Sequence, residues 1–585
     1  MPTTQPPRFG RLSRFADPAS AHSPATPGQA RRAPCGCPSD GPIARRERRL
    51  PVRMASLLVA VAVAWGGTPV LAAGLSDAGS QLFFETGANP IHPPAAGDEL
   101  GYAVAVGDFD GDGTDDVAIG LRNDDNPLAG LSDVGQVQIR FGAPGVGLQG
   151  GVNVKYLWQG GLAQVDEPEP GDHFGQALAV GDFDDDGFDD LVVGVPGEDV
   201  GTISNAGAVE VRYGAANRSV ALDARRFLLH ENVAGIPDNA GVDDEFGHAL
   251  ATGDFDGDTF EDLAVGVPLE SVNGESDAGR VFVLYGTPLG LSVTGAQTLD
   301  GDTSGVGAAF TGHRFGFAIA AADFDNDSYC DLAVGVPGAA SGAGWGHVLP
   351  GTPSGLTGAG SPFFGQAPWG LISTAESDDR FGYAMATGDF DGDPFPDLVV
   401  SAPGEDFPSG DLQIADAGAV HVLFGSAIGV ATAGSQFWDA GRSGVPGEIE
   451  VGDQFGYSLA AGDFDGDGYD ELAIGVPFEQ NFRGPGEGDV IVLPGTPSGP
   501  TGTGSLAWNL EVGTILGDMN PGDHLGWCLA VGDFDHTTAQ DLVIGIPNDG
   551  NIGAALALYG TLPPFGGFAD GFEGGSLAMW TSHTP

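Results

Sequence analysis

The residues of this 585-residue chain best suited to chemistry are aspartates set two apart. Asp108-Phe109-Asp110-Gly111-Asp112-Gly113 opens a nine-residue stretch closed by Asp116, and the same grammar returns from Asp182, Asp254, Asp323, Asp389, Asp463 and Asp533. Carboxylates recur at positions one, three, five and nine, and position seven is free to offer a backbone carbonyl. Such an oxygen-only set suits a hard cation, Ca²⁺ above all. Asp and Gly also favour tight turns for local reasons. Turn preference does not account for the charge, because two carboxylates about 4 Å apart repel by about 1–4 kcal/mol. Four of them in nine residues oppose folding unless a cation compensates.

The expected ligands in the first loop are Asp108, Asp110, Asp112, Asp116 and the carbonyl of Thr114. In the second they are Asp182, Asp184, Asp186, Phe188 and Asp190; in the third, Asp254, Asp256, Asp258, Phe260 and Asp262. The fourth offers Asp323, Asp325, Asp327, Tyr329 and Asp331, and the fifth Asp389, Asp391, Asp393, Phe395 and Asp397. The sixth offers Asp463, Asp465, Asp467, Tyr469 and the longer Glu471. Gly113, Gly187 and Gly468 supply a flexible position six, so loops one, two and six rank first. Thr259 and Ser328 replace that glycine in loops three and four, and Pro394, which cannot take positive φ, weakens loop five. The seventh loop, with Thr537 and Thr538, is degenerate. About six Ca²⁺ sites are expected, of the weak extracellular kind that staples a fold rather than senses a signal.

These loops sit in repeats 66–74 residues apart. In the fifth, Phe381-Gly382-Tyr383-Ala384-Met385-Ala386 precedes the loop, Asp397-Leu398-Val399-Val400-Ser401-Ala402-Pro403 follows it, and Ala417 to Gly425 forms a third apolar run. A fourth run lies around Ser435 to Trp438, with counterparts ending at Trp158, Trp369 and Trp508. Short apolar runs bounded by Gly, Pro and Asp read as strands. Four antiparallel strands in each of seven repeats predict an all-β, seven-bladed β-propeller, because radial closure protects the sheet edges. The seventh repeat lacks a fourth strand after Ala554 to Gly560, whereas Gly79-Ser80-Gln81-Leu82-Phe83-Phe84 resembles Gly434 to Trp438. The N-terminal strand is therefore expected to complete the seventh blade, within one domain spanning 74–561.

The Phe-Gly pairs (Phe174-Gly175, Phe246-Gly247, Phe315-Gly316, Phe381-Gly382, Phe455-Gly456), the Asp loops and ends such as Gly194-Val195-Pro196 and Gly475-Val476-Pro477 resemble the FG-GAP repeat family. That family forms the propeller of integrin alpha-subunit heads and of many secreted bacterial proteins. Leu100 and Leu525 depart from the pattern by replacing the Phe, and Leu121-Arg122 lacks the Pro. The resemblance implies cations on one face and ligand contacts on the other. The opposite-face loops include Arg122 to Val134, Gly404 to Asp416, Glu231 to Asp244 and Asp439 to Asp453, and all are acidic.

Composition agrees. Gly 99 and Pro 42 reflect the turns, since a hydrophobic fraction of 41% separates the chain from disordered sequences. A net charge of -58 opposes nucleic-acid and anionic-membrane binding. Ten of the 22 basic residues fall before residue 54, and five of them lie in Arg45 to Arg53, before the apolar Ala55 to Trp65 and the small-residue site Val70-Leu71-Ala72-Ala73. Residues 1–73 thus read as a leader with a secretory signal peptide, leaving a mature chain with no integral membrane span, expected to be secreted or at the cell surface and monomeric. Residues 562–585 read as a C-terminal tail. Cys35 and Cys37 fall in the leader, so no disulfide framework is expected; Cys528 reads as a buried core thiol, and Cys330 as exposed.

No GxSxG, HExxH, P-loop or dinucleotide fingerprint stands in a convincing context. His173, His313 and His524 recur just before the Phe-Gly position, which argues for a structural role, and the recurring Trp residues read as interblade packing. The function expected is a calcium-stabilised binding or cell-adhesion propeller recognising an extracellular protein or glycan. The alternative is a glycan-directed enzyme, lyase-like, or a lectin. An asymmetric pocket of ionisable residues favours the enzyme, and symmetric loops favour binding.

Overall fold

The computed structural model describes residues 74–562 apart from 86–92, 127–128, 151–152, 161–166, 219–221, 224, 410–411, 481–483 and 511–519. The leader assigned to 1–73 and the tail beyond 562 lie outside the described residues. Seven antiparallel blades follow one another, six of four strands and the fourth with a fifth strand added, and each innermost strand packs against those of the two neighbouring blades until the seventh meets the first. The molecule is the expected seven-bladed β-propeller.

Each second strand, such as Asp116–Leu121 or Asp190–Val195, is buried along its whole length. Both of its faces meet apolar residues of its own or an adjoining blade, which is why it reads as an unbroken apolar run rather than an alternating one. The innermost strands, such as Ala177–Gly181, are half-buried because they line the central channel. The glycines of neighbouring repeats meet there. A side chain at Gly120 would lie 2.2 Å from the Gly175 carbonyl, and one at Gly194 would lie 2.3 Å from that of Gly247. The Phe-Gly and Gly-x-Pro motifs are thus two halves of one interblade backbone contact.

Leu75–Phe84 pairs with Ala554–Gly560, Leu75 opposite Gly560 and Phe84 opposite Ala554, so the N-terminal strand closes the ring. Three strands exceed the expected set. Gly370–Thr374 adds a parallel fifth strand to blade four, and Phe407–Ser409 with Leu412–Ile414 forms a hairpin in the blade-five loop. Trp369 stands in the turn before that fifth strand rather than at a strand end, and its ring packs on Trp345 of the same blade, 5.7 Å away. Trp508 is interblade, buried among Leu542 and Ile544 of blade seven. Cys330 is fully buried against Gly253, not exposed, because its loop position leans into the preceding blade. Cys528 is half-buried on the inner strand side, its thiol donating to the Gly101 carbonyl at 3.1 Å.

Candidate cation loops and the opposite face

In each Asp loop the carboxylates first organise their own backbone. Asp108 accepts N–H bonds from Asp112 (3.0 Å) and Gly113 (2.7 Å), and Asp182 does the same from Asp186 and Gly187. Position four takes positive φ throughout, at Gly111, Asp185, Gly257, Asn326, Gly392, Gly466 and His536. Thr259 (φ 90°) and Ser328 (φ 79°) adopt the same left-handed region at position six, a strained choice for a residue with a Cβ. Pro394 has no N–H to give, and Asp389 instead accepts from Gly392 at 2.8 Å.

Position nine has a further role. Asp116 accepts from Phe109 N–H (3.2 Å) and from Gly142 N–H beyond the third strand (2.9 Å). Asp190, Asp262, Asp397, Glu471 and Asp541 repeat both bonds. Even the degenerate seventh loop keeps them, so this carboxylate builds the hairpin whatever the remaining ligands are. Oxygens of positions one, three and nine lie within 4.8 Å of one another in loops one to three. Burial, reinforced by the neighbouring loop carboxylates, pushes Asp116 up to about 9 and Asp190 to about 8. Two of the best-ranked loops also meet an arginine of blade two. Arg218 pairs with Asp110 and, at 2.6 Å, with Asp112, and Arg225 pairs with Asp184.

Position eight is absent from the expected ligands, and it clamps blades together. Asp189 N–H donates to the Asp108 carbonyl while its side chain accepts from Asp108 N–H at 2.8 Å. Asp115, Asp470 and Gln540 accept in the same way from Asp533, Asp389 and Asp463. The only signal in the sequence is a second acid or amide beside position nine.

Antiparallel order places the loops between strands two and three, and those entering each blade, at the other end of the sheets. Here the residue after each Phe-Gly or Leu-Gly forms a ring around the channel. His248, Phe317, Tyr383, Tyr457, Trp527 and Tyr102 pack in sequence, each ring tilted against the next, with centroids 4.8–5.6 Å apart. Arg122 lies over Tyr102, 4.3 Å from its centroid. The residue just before each motif takes positive φ in all seven repeats, His173 and His524 among them, and His313 precedes Arg314 at that position. The recurring histidines are therefore parts of the turn, and burial lowers the pKa of all three.

A seven-bladed propeller with an acidic hairpin at one end of each blade and an aromatic ring at the other is the class that fold and site define. The FG-GAP repeat model matches residues 100–139, 174–211, 246–284, 315–349, 381–423 and 455–493, the first three strands of blades one to six. The chain is an FG-GAP, integrin-like propeller. Integrin alpha-PS2 of Drosophila melanogaster is 30% identical over 243 residues, 40% of this chain and 15% of that protein. Integrin alpha-5 of Xenopus laevis is 30% identical over 245 residues, 41% of this chain and 20% of that protein. Phosphatidylinositol-glycan-specific phospholipase D of Rattus norvegicus is 36% identical over 162 residues, 27% and 18% of the respective chains. The match thus spans a fifth or less of each of these relatives. Among solved structures, the Dos1 propeller covers 81% of this chain and 96% of its own at 11% identity and a TM-score of 0.40. Among the described residues no helix is long and apolar enough to cross a membrane.

Proposed function

We propose that this chain is a secreted or cell-surface binding propeller, stabilised by Ca²⁺ in the Asp loops, that takes a basic side chain of an extracellular protein at the aromatic ring. The ring carries this reading. Six of seven blades contribute an aromatic or imidazole group to one continuous surface, and π faces attract guanidinium and ammonium groups. Arg122 on Tyr102 is the same contact made within the chain. Exposed Asp243, Glu376 and Asp378 stand on that face and favour a cationic partner. The similarity to integrin alpha chains supports an adhesive role. The near-symmetry of the ring favours recognition over catalysis, since a catalytic constellation draws on residues of unlike roles.

The test is an array of matrix proteins and glycans probed with the wild type and with Tyr457→Ala/Trp527→Ala, in Ca²⁺ and in EDTA. A protein ligand whose affinity falls about tenfold or more in the ring variant, two aromatic contacts at about 1 kcal/mol each, is the expected result. It should weaken in EDTA as the fold loosens. Glycan binding indifferent to the ring variant, or cleavage of a glycan, would replace this reading with the lectin or the enzyme.

A further inference from the structure

On the ring face, adjacent blades meet through three recurring positions. One ends the outer strand of the first blade, one stands two residues before the Phe-Gly or Leu-Gly of the next, and one follows the second strand of that next blade. Between blades one and two these are Gln159, Asp172 and Glu198, and between four and five they are Gln366, Asp379 and Glu405. In both cases the glutamine amide donates to the glutamate, Gln159 to Glu198 at 2.6 Å. The joint thus contains its own donor.

Two joints replace that glutamine with glutamate. Glu85, Asp98 and Asp124 meet where blade seven closes on blade one, and Glu231, Asp244 and Glu270 meet between blades two and three. All six residues are buried, and within each triad one oxygen from each residue lies within 4.8 Å of the others. Glu85 is 6% exposed and Glu231 1%, and neither oxygen of either carboxylate has a hydrogen-bond donor among the described residues. The other members are anchored. Asp98 accepts from Ala95 N–H at 2.5 Å, Asp124 from Gln136 at 3.2 Å, and Asp244 from Gly241 N–H. Arg280 comes within 3.7 Å of Glu270, but its guanidinium is engaged by Asp238 and Asp300. Where a joint has none of the three acids, as between blades three and four with Gly301, His313 and Ala339, an aromatic-lined cavity of about 220 Å³ stands instead.

We propose that Glu85–Asp98–Asp124 and Glu231–Asp244–Glu270 are a second class of divalent-cation site, separate from the Asp loops, in which a hard cation such as Ca²⁺ ties two blades together. Three converging carboxylates, one of which has both oxygens enclosed and undonated, are the donor set such an ion takes. Glu85 and Glu231 are otherwise buried with undonated oxygens among acids of one sign. The ion does at these joints what the glutamine amide does at the other two. The inference is independent of the ligand at the aromatic ring.

Glu85→Gln/Glu231→Gln rebuilds the donor found at the neighbouring joints and is expected to fold. Full-chain melting curves in Ca²⁺ and in EDTA should show a smaller calcium-induced rise in Tm for this variant than for the wild type, with the variant the more stable of the two in EDTA. An equal calcium-induced rise overturns the proposal. Independently, wild-type crystals grown with Tb³⁺ should give anomalous peaks at both triads; peaks confined to the Asp loops, or absent everywhere, also overturn it.

Discussion

At the scale of single residues, a carboxylate in an acidic loop can serve an ion, the backbone or both, and hydrogen bonds separate the cases. Asp190 accepts two backbone N–H groups, from Phe183 and Gly214. Asp186 is exposed and accepts one from within its own loop. Asp190→Ala orphans two N–H groups and should cost about 2–6 kcal/mol at 1–3 kcal/mol each, in EDTA as well as in Ca²⁺. Asp186→Asn should leave stability in EDTA nearly unchanged and reduce only the gain from Ca²⁺. Chemical denaturation in the two media distinguishes them. His421 gives a pH signature. It is fully buried between the rings of Phe381 and Phe437 with Ser373 Oγ 3.0 Å from Nε2, and burial, helped by Arg442, lowers it to about 3. The unfolded imidazole protonates near its ordinary pKa of about 6.5, whereas the folded one resists. Its stabilising contribution is therefore complete above pH ~6.5 and is lost as pH falls toward about 3, at up to about 1.4 kcal/mol per pH unit. His421→Gln should melt with a shallower pH dependence than the wild type between pH 6 and 4; an identical slope contradicts this account. Buried acids such as Asp116 change stability in the opposite sense and are common to both proteins.

At the scale of elements, what the sequence reveals is what repeats within one blade. The Asp loops and the three apolar runs recur at fixed offsets, and a fourth run ends at or beside Trp158, Trp438 and Trp508, so four strands per blade could be read directly. So could the pairing of Leu75–Phe84 with the seventh blade, because Gly74-Leu75-Ser76 copies Gly290-Leu291-Ser292. The parallel strand Gly370–Thr374 has no counterpart in other repeats and left no such trace. Contacts between blades were equally hidden. Asp189 reads as a spare acid beside Asp190 until its partner, 81 residues earlier, is brought against it. Glu231 and Glu270 belong to different blades, so no single-repeat pattern joins them. Position nine was legible as an acid but not in its role, since a ligand and a backbone acceptor demand the same residue type. The aromatic ring shows the same limit. Its members occupy one repeat position, filled by Tyr, Gln, His, Phe or Trp, and become a surface only when the blades are set in a circle.

At the scale of the whole molecule, closure brings the seventh blade against the first, and the seventh blade performs it with strands from opposite ends of the sequence. The turn that joins the third and fourth strands elsewhere is Gly286-Thr287-Pro288-Leu289-Gly290-Leu291 in blade three, where Thr287 Oγ1 donates to the Gly290 carbonyl at 2.7 Å. Thr352 and Thr496 repeat that bond in blades four and six. In blade seven the turn is interrupted between Leu562 and Gly74, and yet Thr561 Oγ1 donates to the Gly74 carbonyl. The broken turn keeps its geometry without its covalent link. Joining Leu562 to Gly74 through one added residue restores the length of the blade-three turn. Opening the chain instead between residues 511 and 519 makes all seven blades contiguous. Such a permutant should reach the native fold with a Tm in Ca²⁺ at least equal to that of residues 74–562, because the same strand pairs form with a shorter closing loop. Deleting 74–85 should do the reverse, baring the edge of Ala554–Gly560 and removing Glu85 from its joint, with aggregation as the outcome. Circular dichroism melts and size-exclusion chromatography of the two variants decide the matter: a permutant that fails to fold, or a deletion that stays monomeric with an unchanged Tm, would show that closure by Leu75–Phe84 is not what holds the ring.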